Sequence, residues 1–208
     1  MKTTKLLVCA VAVAAAFAAA QSQGQTINAT LIDISPGLNV NGSFNGGAYT
    51  LTFPAGVMNF SNFDAFCVQP LESLSYGESL VYEITSPVSL TPTAYNSIAR
   101  LVGGYLASSQ NDQNAAAVQW AIWEVTNETT SPPSLFDGNI RIIGAADKAT
   151  AALANQYLAN VNTYTAANLT YLRNNGRQDV VTWNTVPEPA SVGLAALSGM
   201  LLLVRRRR

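Results

Sequence analysis

Apolar and polar residues alternate with a short period in the first half of the chain and recur at helical spacing in the second. Residues 26–34, 48–53, 63–69 and 80–85 alternate or concentrate β-branched and aromatic side chains, a pattern that predicts short strands. Gly42, Gly46, Gly47, Pro54, Gly56 and Gly77 punctuate them. Helical stretches follow at 92–107, 112–128 and 145–165. In the last, Ala146, Ala149, Leu153, Tyr157 and Val161 lie near helical spacing. Asp112 is the expected N-cap of the second helix, and Pro132-Pro133 stops the chain after it. Residues 178–183 read as a closing strand. Strands, then helices, then a strand predict one α+β domain over residues 21–186, a small β-sheet or β-sandwich-like part packed with a helical part.

The two ends break this pattern. Residues 1–20 open with Lys2 and Lys5, continue as an alanine-rich apolar run, and end on a small-x-small site, Ala18 and Ala20. That is the layout of a secretory signal peptide, and Cys9 is expected to leave with it. The other end has three parts: Val186-Pro187-Glu188-Pro189, an apolar run over 190–204, then Arg205, Arg206, Arg207 and Arg208. As a helix the apolar run would span about 23 Å, short of a hydrocarbon core of about 30 Å. The arginines would hold its end on the cytoplasmic side of the inner membrane. These 22 residues, 187–208, resemble the PEP-CTERM sorting signal: a Pro-Glu-Pro motif, a short transmembrane helix and a basic tail. The resemblance implies processing by an exosortase-type enzyme in a Gram-negative bacterium that makes extracellular polysaccharide. The mature domain would then be released or held at the cell surface.

Charge sharpens the picture of the middle. The chain holds 11 basic and 12 acidic residues, but Lys2, Lys5 and the four terminal arginines account for most of the basic ones. Residues 21–186 keep only Arg100, Arg141, Lys148, Arg173 and Arg177, so the domain is distinctly acidic. It has no electrostatic reason to bind nucleic acid. The sequence has no histidine, which excludes histidine-based triads and histidine metal ligands. Two cysteines are too few for a cysteine zinc or iron–sulfur site, and no phosphate-binding glycine motif occurs. No catalytic residue, metal or cofactor is expected from the sequence.

Cys67 is the one thiol expected to survive export. It sits in an aromatic–Cys–aliphatic triplet, Phe66-Cys67-Val68, on a predicted strand. Val118-Gln119-Trp120-Ala121-Ile122-Trp123 follows on an alanine-rich helix. In a helix Gln119 and Trp123 share a face with Ala115 one turn earlier, so Gln119 emerges from an apolar surface where an unpaired amide is costly. Packing of that face on the Cys67 strand would hold a thiol and an amide together in a dry pocket. Enforced proximity of that kind raises effective concentration to about 10⁵ M or more.

The same two segments resemble those of bacterial thioester domains of surface adhesins. That resemblance implies an internal thioester in which Cys67 supplies the sulfur and Gln119 the acyl group. Val118, Ile122 and Trp123 fall at the packing positions of the helix motif. Phe66, Trp120, Ile122 and Trp123 are the expected shield against water. An amine-bearing target on a cell, a matrix or a neighbouring protein would open the thioester once, so the protein is expected to couple covalently rather than turn over as an enzyme. The crosslink would also close the chain between positions 67 and 119, worth about 4 kcal/mol by loop-entropy reasoning. Two other readings stand beside it. A non-covalent biofilm or envelope protein would use the asparagine-rich surface (Asn39, Asn41, Asn45, Asn59, Asn62) on exopolysaccharide, with Cys67 merely buried. A hydrolase would need a carboxylate pair, for which Glu72, Glu78 and Glu83 are the available groups.

Overall fold

The computed structural model describes residues 25–184, apart from 88 and 129–131. The segment 1–20, the Val186–Pro189 motif, the apolar run and the arginine tail therefore lie outside the described residues. Among the described residues no helix is long and apolar enough to cross a membrane.

The structure is mixed sheet and helix. The strands are β1 (Gln25–Phe44), β2 (Tyr49–Phe60), β3 (Asp64–Cys67), β4 (Ser79–Thr85), β5 (Arg141–Ile142), β6 (Thr170–Arg173) and β7 (Val180–Thr182). The α-helices are α1 (Pro92–Leu106), α2 (Asp112–Asn127) and α3 (Lys148–Ala159). The strands join in the order β2-β3-β7-β6-β4-β1-β5, and β2 also pairs with β1. That extra pairing closes a circuit of six strands, so the sheet is larger and more continuous than the small sandwich-like part that the pattern predicts.

β1 and β2 form a long antiparallel hairpin, from Leu31 opposite Phe60 to Phe44 opposite Tyr49. Its turn is Asn45-Gly46-Gly47, all with positive φ, which explains two consecutive glycines after an asparagine. β1 runs ten residues beyond its expected end at Ile34. Pro36 and Gly37 look like strand breakers in the sequence, but the register shifts between Ile34 and Gly37 and so accommodates them in an irregularity. Gly42 serves a different purpose, because a Cβ there would lie 1.8 Å from the Trp120 ring.

α2 lies at the centre, packed against α1, α3, β2 and β3. Every residue from Ala115 to Glu124 is buried, so this helix is covered on all sides. Its alanines let neighbouring elements approach closely, while Trp120 stacks on Phe44 at 5.2 Å between ring centroids. The N-cap is Asn111 rather than Asp112: Asn111 Oδ1 accepts the Asn114 N–H at 2.9 Å. Asp112 is already helical, and its carboxylate accepts the Gly37 N–H at 3.0 Å, tying the helix start to β1. α3 is shorter than its apolar spacing suggests, since 3₁₀ turns at Ala145–Asp147 and Val161–Thr163 flank it.

Candidate functional site

β3 positions the site. Ala65, Phe66 and Cys67 stand in register with Thr182, Val181 and Val180 of β7. On the other side the ladder to β2 covers only Asp64 and Ala65. A strand residue left without a neighbour there would bury an unpaired N–H and C=O, a costly arrangement. Gln119 fills that place. Cys67 N–H donates to Gln119 Oε1 at 2.9 Å, and Gln119 Nε2 donates to the Cys67 carbonyl at 2.8 Å. The primary amide thus takes the place of a missing strand residue. Both side chains are almost wholly buried, at 2% and 1% exposure.

Gln119 reaches β3 because α2 packs against that strand. The thiol lies in a short backbone loop: Gln69 N–H donates to Cys67 Sγ and Sγ donates to the Gln69 carbonyl, each at 3.3 Å. Gln69 is itself held, since its Oε1 accepts the Asp179 N–H at 2.7 Å. Asp179 in turn accepts from Tyr171 Oη and from the Asn174 N–H. Burial pushes the Cys67 thiol up to about 12, while Trp123 and the Gln69 N–H partly counter that by favouring the thiolate. Trp123 Nε1 makes no hydrogen bond of full geometry, but its N–H lies close enough to the sulfur to favour the thiolate.

A cleft of about 200 Å³ opens onto this pair. Cys67, Gln119 and Trp123 form part of its wall, with Phe53, Met58 and Leu74 among the apolar remainder. The other expected shielding residues point elsewhere. Phe66 is one residue from Cys67 on a strand, so it faces away and packs on Tyr105 and Trp183, at 5.2 and 5.4 Å between ring centroids. Trp120 is turned about 100° from Gln119 around the helix and packs on Phe44 and Gly42. Ile122 is fully buried and does not border the cleft. Trp123 is the one of the four at the cleft, and Val118 is a buried core residue.

The three glutamates named for hydrolysis do not converge. Glu78 pairs with Arg177 at 2.8 Å, and Glu83 stands opposite Arg173 in the β4–β6 ladder. Only Glu72 borders the cleft. Three of the five asparagines are engaged within the fold. Asn41 Nδ2 donates to Asp147 Oδ2, Asn59 Nδ2 to the Ser35 carbonyl, and Asn62 Nδ2 to the Asn28 carbonyl.

Glu124 is a buried carboxylate that the sequence pattern passes over. Its Oε1 accepts the Ser134 N–H at 2.8 Å, while Oε2 is buried without a partner. Burial raises its pKa to about 7. A glutamate directly after Trp123 in an otherwise apolar helical run was the available signal.

The sequence matches no family model and no curated protein. Among solved structures, the thioester domain of the Staphylococcus aureus TIE protein is similar, with a TM-score of 0.46 and 14% sequence identity over 76% of this chain and 79% of that one.

Proposed function

We propose that Cys67 and Gln119 form an internal thioester through which the exported domain couples covalently, once per molecule, to an amine-bearing target. The observation that carries this reading is the docking of the Gln119 amide on the backbone of Cys67 itself. In the forming step the Cys67 sulfur adds to Gln119 Cδ. The Cys67 N–H already bonds Oε1 and would stabilise the oxyanion that develops there. The carbon–nitrogen bond then breaks, the thiol proton ends on the departing nitrogen, and ammonia leaves from beside the Cys67 carbonyl. Cys67 would thus supply the nucleophile, the oxyanion donor and a hydrogen-bond acceptor for the leaving group, with no histidine and no cofactor. Burial of both side chains would keep water from the activated acyl group.

The same proposal includes display at the cell surface or in the extracellular matrix after exosortase-type processing, for which the sequence patterns of residues 1–20 and 187–208 are the support. A second reading has its own support. The same hydrogen bonds give the amide a partner on both its oxygen and its nitrogen, so Gln119 would serve as a plain clamp on β3 in a non-covalent envelope or biofilm protein. Methylamine separates the two. A thioester takes up one methylamine at Gln119 and exposes one thiol at Cys67, and Cys67→Ala or Gln119→Ala abolishes both. A clamp takes up none.

A further inference from the structure

The mouth of the Cys67–Gln119 cleft has a chemistry of its own. Its walls are apolar and aromatic, and Glu72 is the one charged side chain among the residues that line it. The backbone of Glu72 is fixed on both sides: its N–H donates to the Gln69 carbonyl, and its own carbonyl accepts from Gln178 Nε2. Its carboxylate takes part in no hydrogen bond or ion pair among the described residues, whereas neighbouring Glu78 is bound to Arg177. The negative charge is close enough to be felt at the Cys67 sulfur. Tyr76, 60% exposed, and Trp123 add aromatic faces, which attract cations.

We infer that Glu72 is the residue that selects and receives the nucleophile, and that the cleft takes an unbranched alkylammonium with no anionic group near its nitrogen. This rests on the thioester reading. Glu72 is itself exposed, at the open side of an otherwise apolar cleft, where its single negative charge attracts cations and repels anions. The apolar residues that line the cleft with Gln119 reward a methylene stem, each buried methylene strengthening binding by about fourfold. A hydroxyl nucleophile gains nothing from the charge, and an amino acid's own carboxylate is repelled by it.

The ammonium loses one proton to water on entry. Its nitrogen adds to the Gln119 acyl carbon, and the carbon–sulfur bond breaks with its electron pair going to Sγ. The proton shed by the new amide nitrogen passes through the Glu72 carboxylate to the sulfur, which departs as a thiol. Departure as a bare thiolate would be costly in this buried position, which is why a proton must reach the sulfur. The Trp123 indole N–H, which favours negative charge on the sulfur, lies beside it as the carbon–sulfur bond breaks.

The test uses the purified exported protein and follows thiol release at equal concentrations of unprotonated amine. Butylamine should react at least about tenfold faster than glycine and faster than methylamine. Glu72→Gln should keep the mass deficit of one ammonia, slow butylamine about tenfold, and narrow the gap to glycine. Glu72→Lys should favour glycine. Equal butylamine and glycine rates in the unaltered protein, or unchanged rates and selectivity in Glu72→Gln, overturn the role of Glu72 and leave the thioester standing. A full sequence mass with no thiol release to any amine overturns both.

Discussion

A buried polar side chain is costly until it is satisfied, and that cost organises the site residue by residue. Gln119 is satisfied only by the main chain of Cys67, so each residue of the pair is placed by the other. Replacing Gln119 with Glu keeps the length but loses the donor to the Cys67 carbonyl. That variant should form no thioester and should lose about 2 kcal/mol of stability in a denaturant titration. Glu124 is the contrasting case, a carboxylate satisfied on one oxygen only. Burial raises its pKa to about 7 from the ordinary value near 4.5, so the folded state holds its proton longer than the unfolded state does. Its contribution to stability therefore falls as pH rises from about 4.5 to about 7 and is flat above that. Glu124→Gln should flatten this slope and stabilise the domain by about 1–2 kcal/mol at pH 8, read from denaturant midpoints at several pH values.

At the level of elements, α2 and the β1–β2 hairpin position the site. The helix spacing that joins Gln119 to Trp123 could be read directly from the sequence, as could the strand bearing Cys67. Their meeting could be argued, but which strand edge received the amide could not. That depended on β2 leaving β3 after Ala65, a matter of long-range register rather than of local pattern. The same limit explains the shield. Sequence proximity suggested Phe66, Trp120 and Ile122, while strand alternation and helix rotation carry them into the core. The length of β1 was hidden because Pro36 and Gly42 resemble breaks. Gly42 in fact leaves room for Trp120, so Gly42→Ala should push the indole out of its stack on Phe44. A loss of about 2 kcal/mol and a changed near-ultraviolet circular dichroism signal are expected.

For the whole molecule, the proposed thioester would link segments 52 residues apart in sequence, tying the central helix to the sheet. By loop-entropy reasoning the link adds about 4 kcal/mol, a large share of the stability of a domain this size. Methylamine treatment should therefore lower the melting temperature by roughly 10 °C, and Cys67→Ser should melt close to the treated protein. The remainder of the fold does not need the bond, because the core is continuous and the Gln119 hydrogen bonds can form without it.

The most direct measurement is the intact mass of the freshly purified, denatured domain in the absence of any amine. A thioester gives a mass lower than the sequence requires by one ammonia, with no titratable thiol at Cys67. A mass equal to that of the sequence, with one thiol appearing on denaturation, would contradict it and leave Gln119 as a clamp on a buried strand.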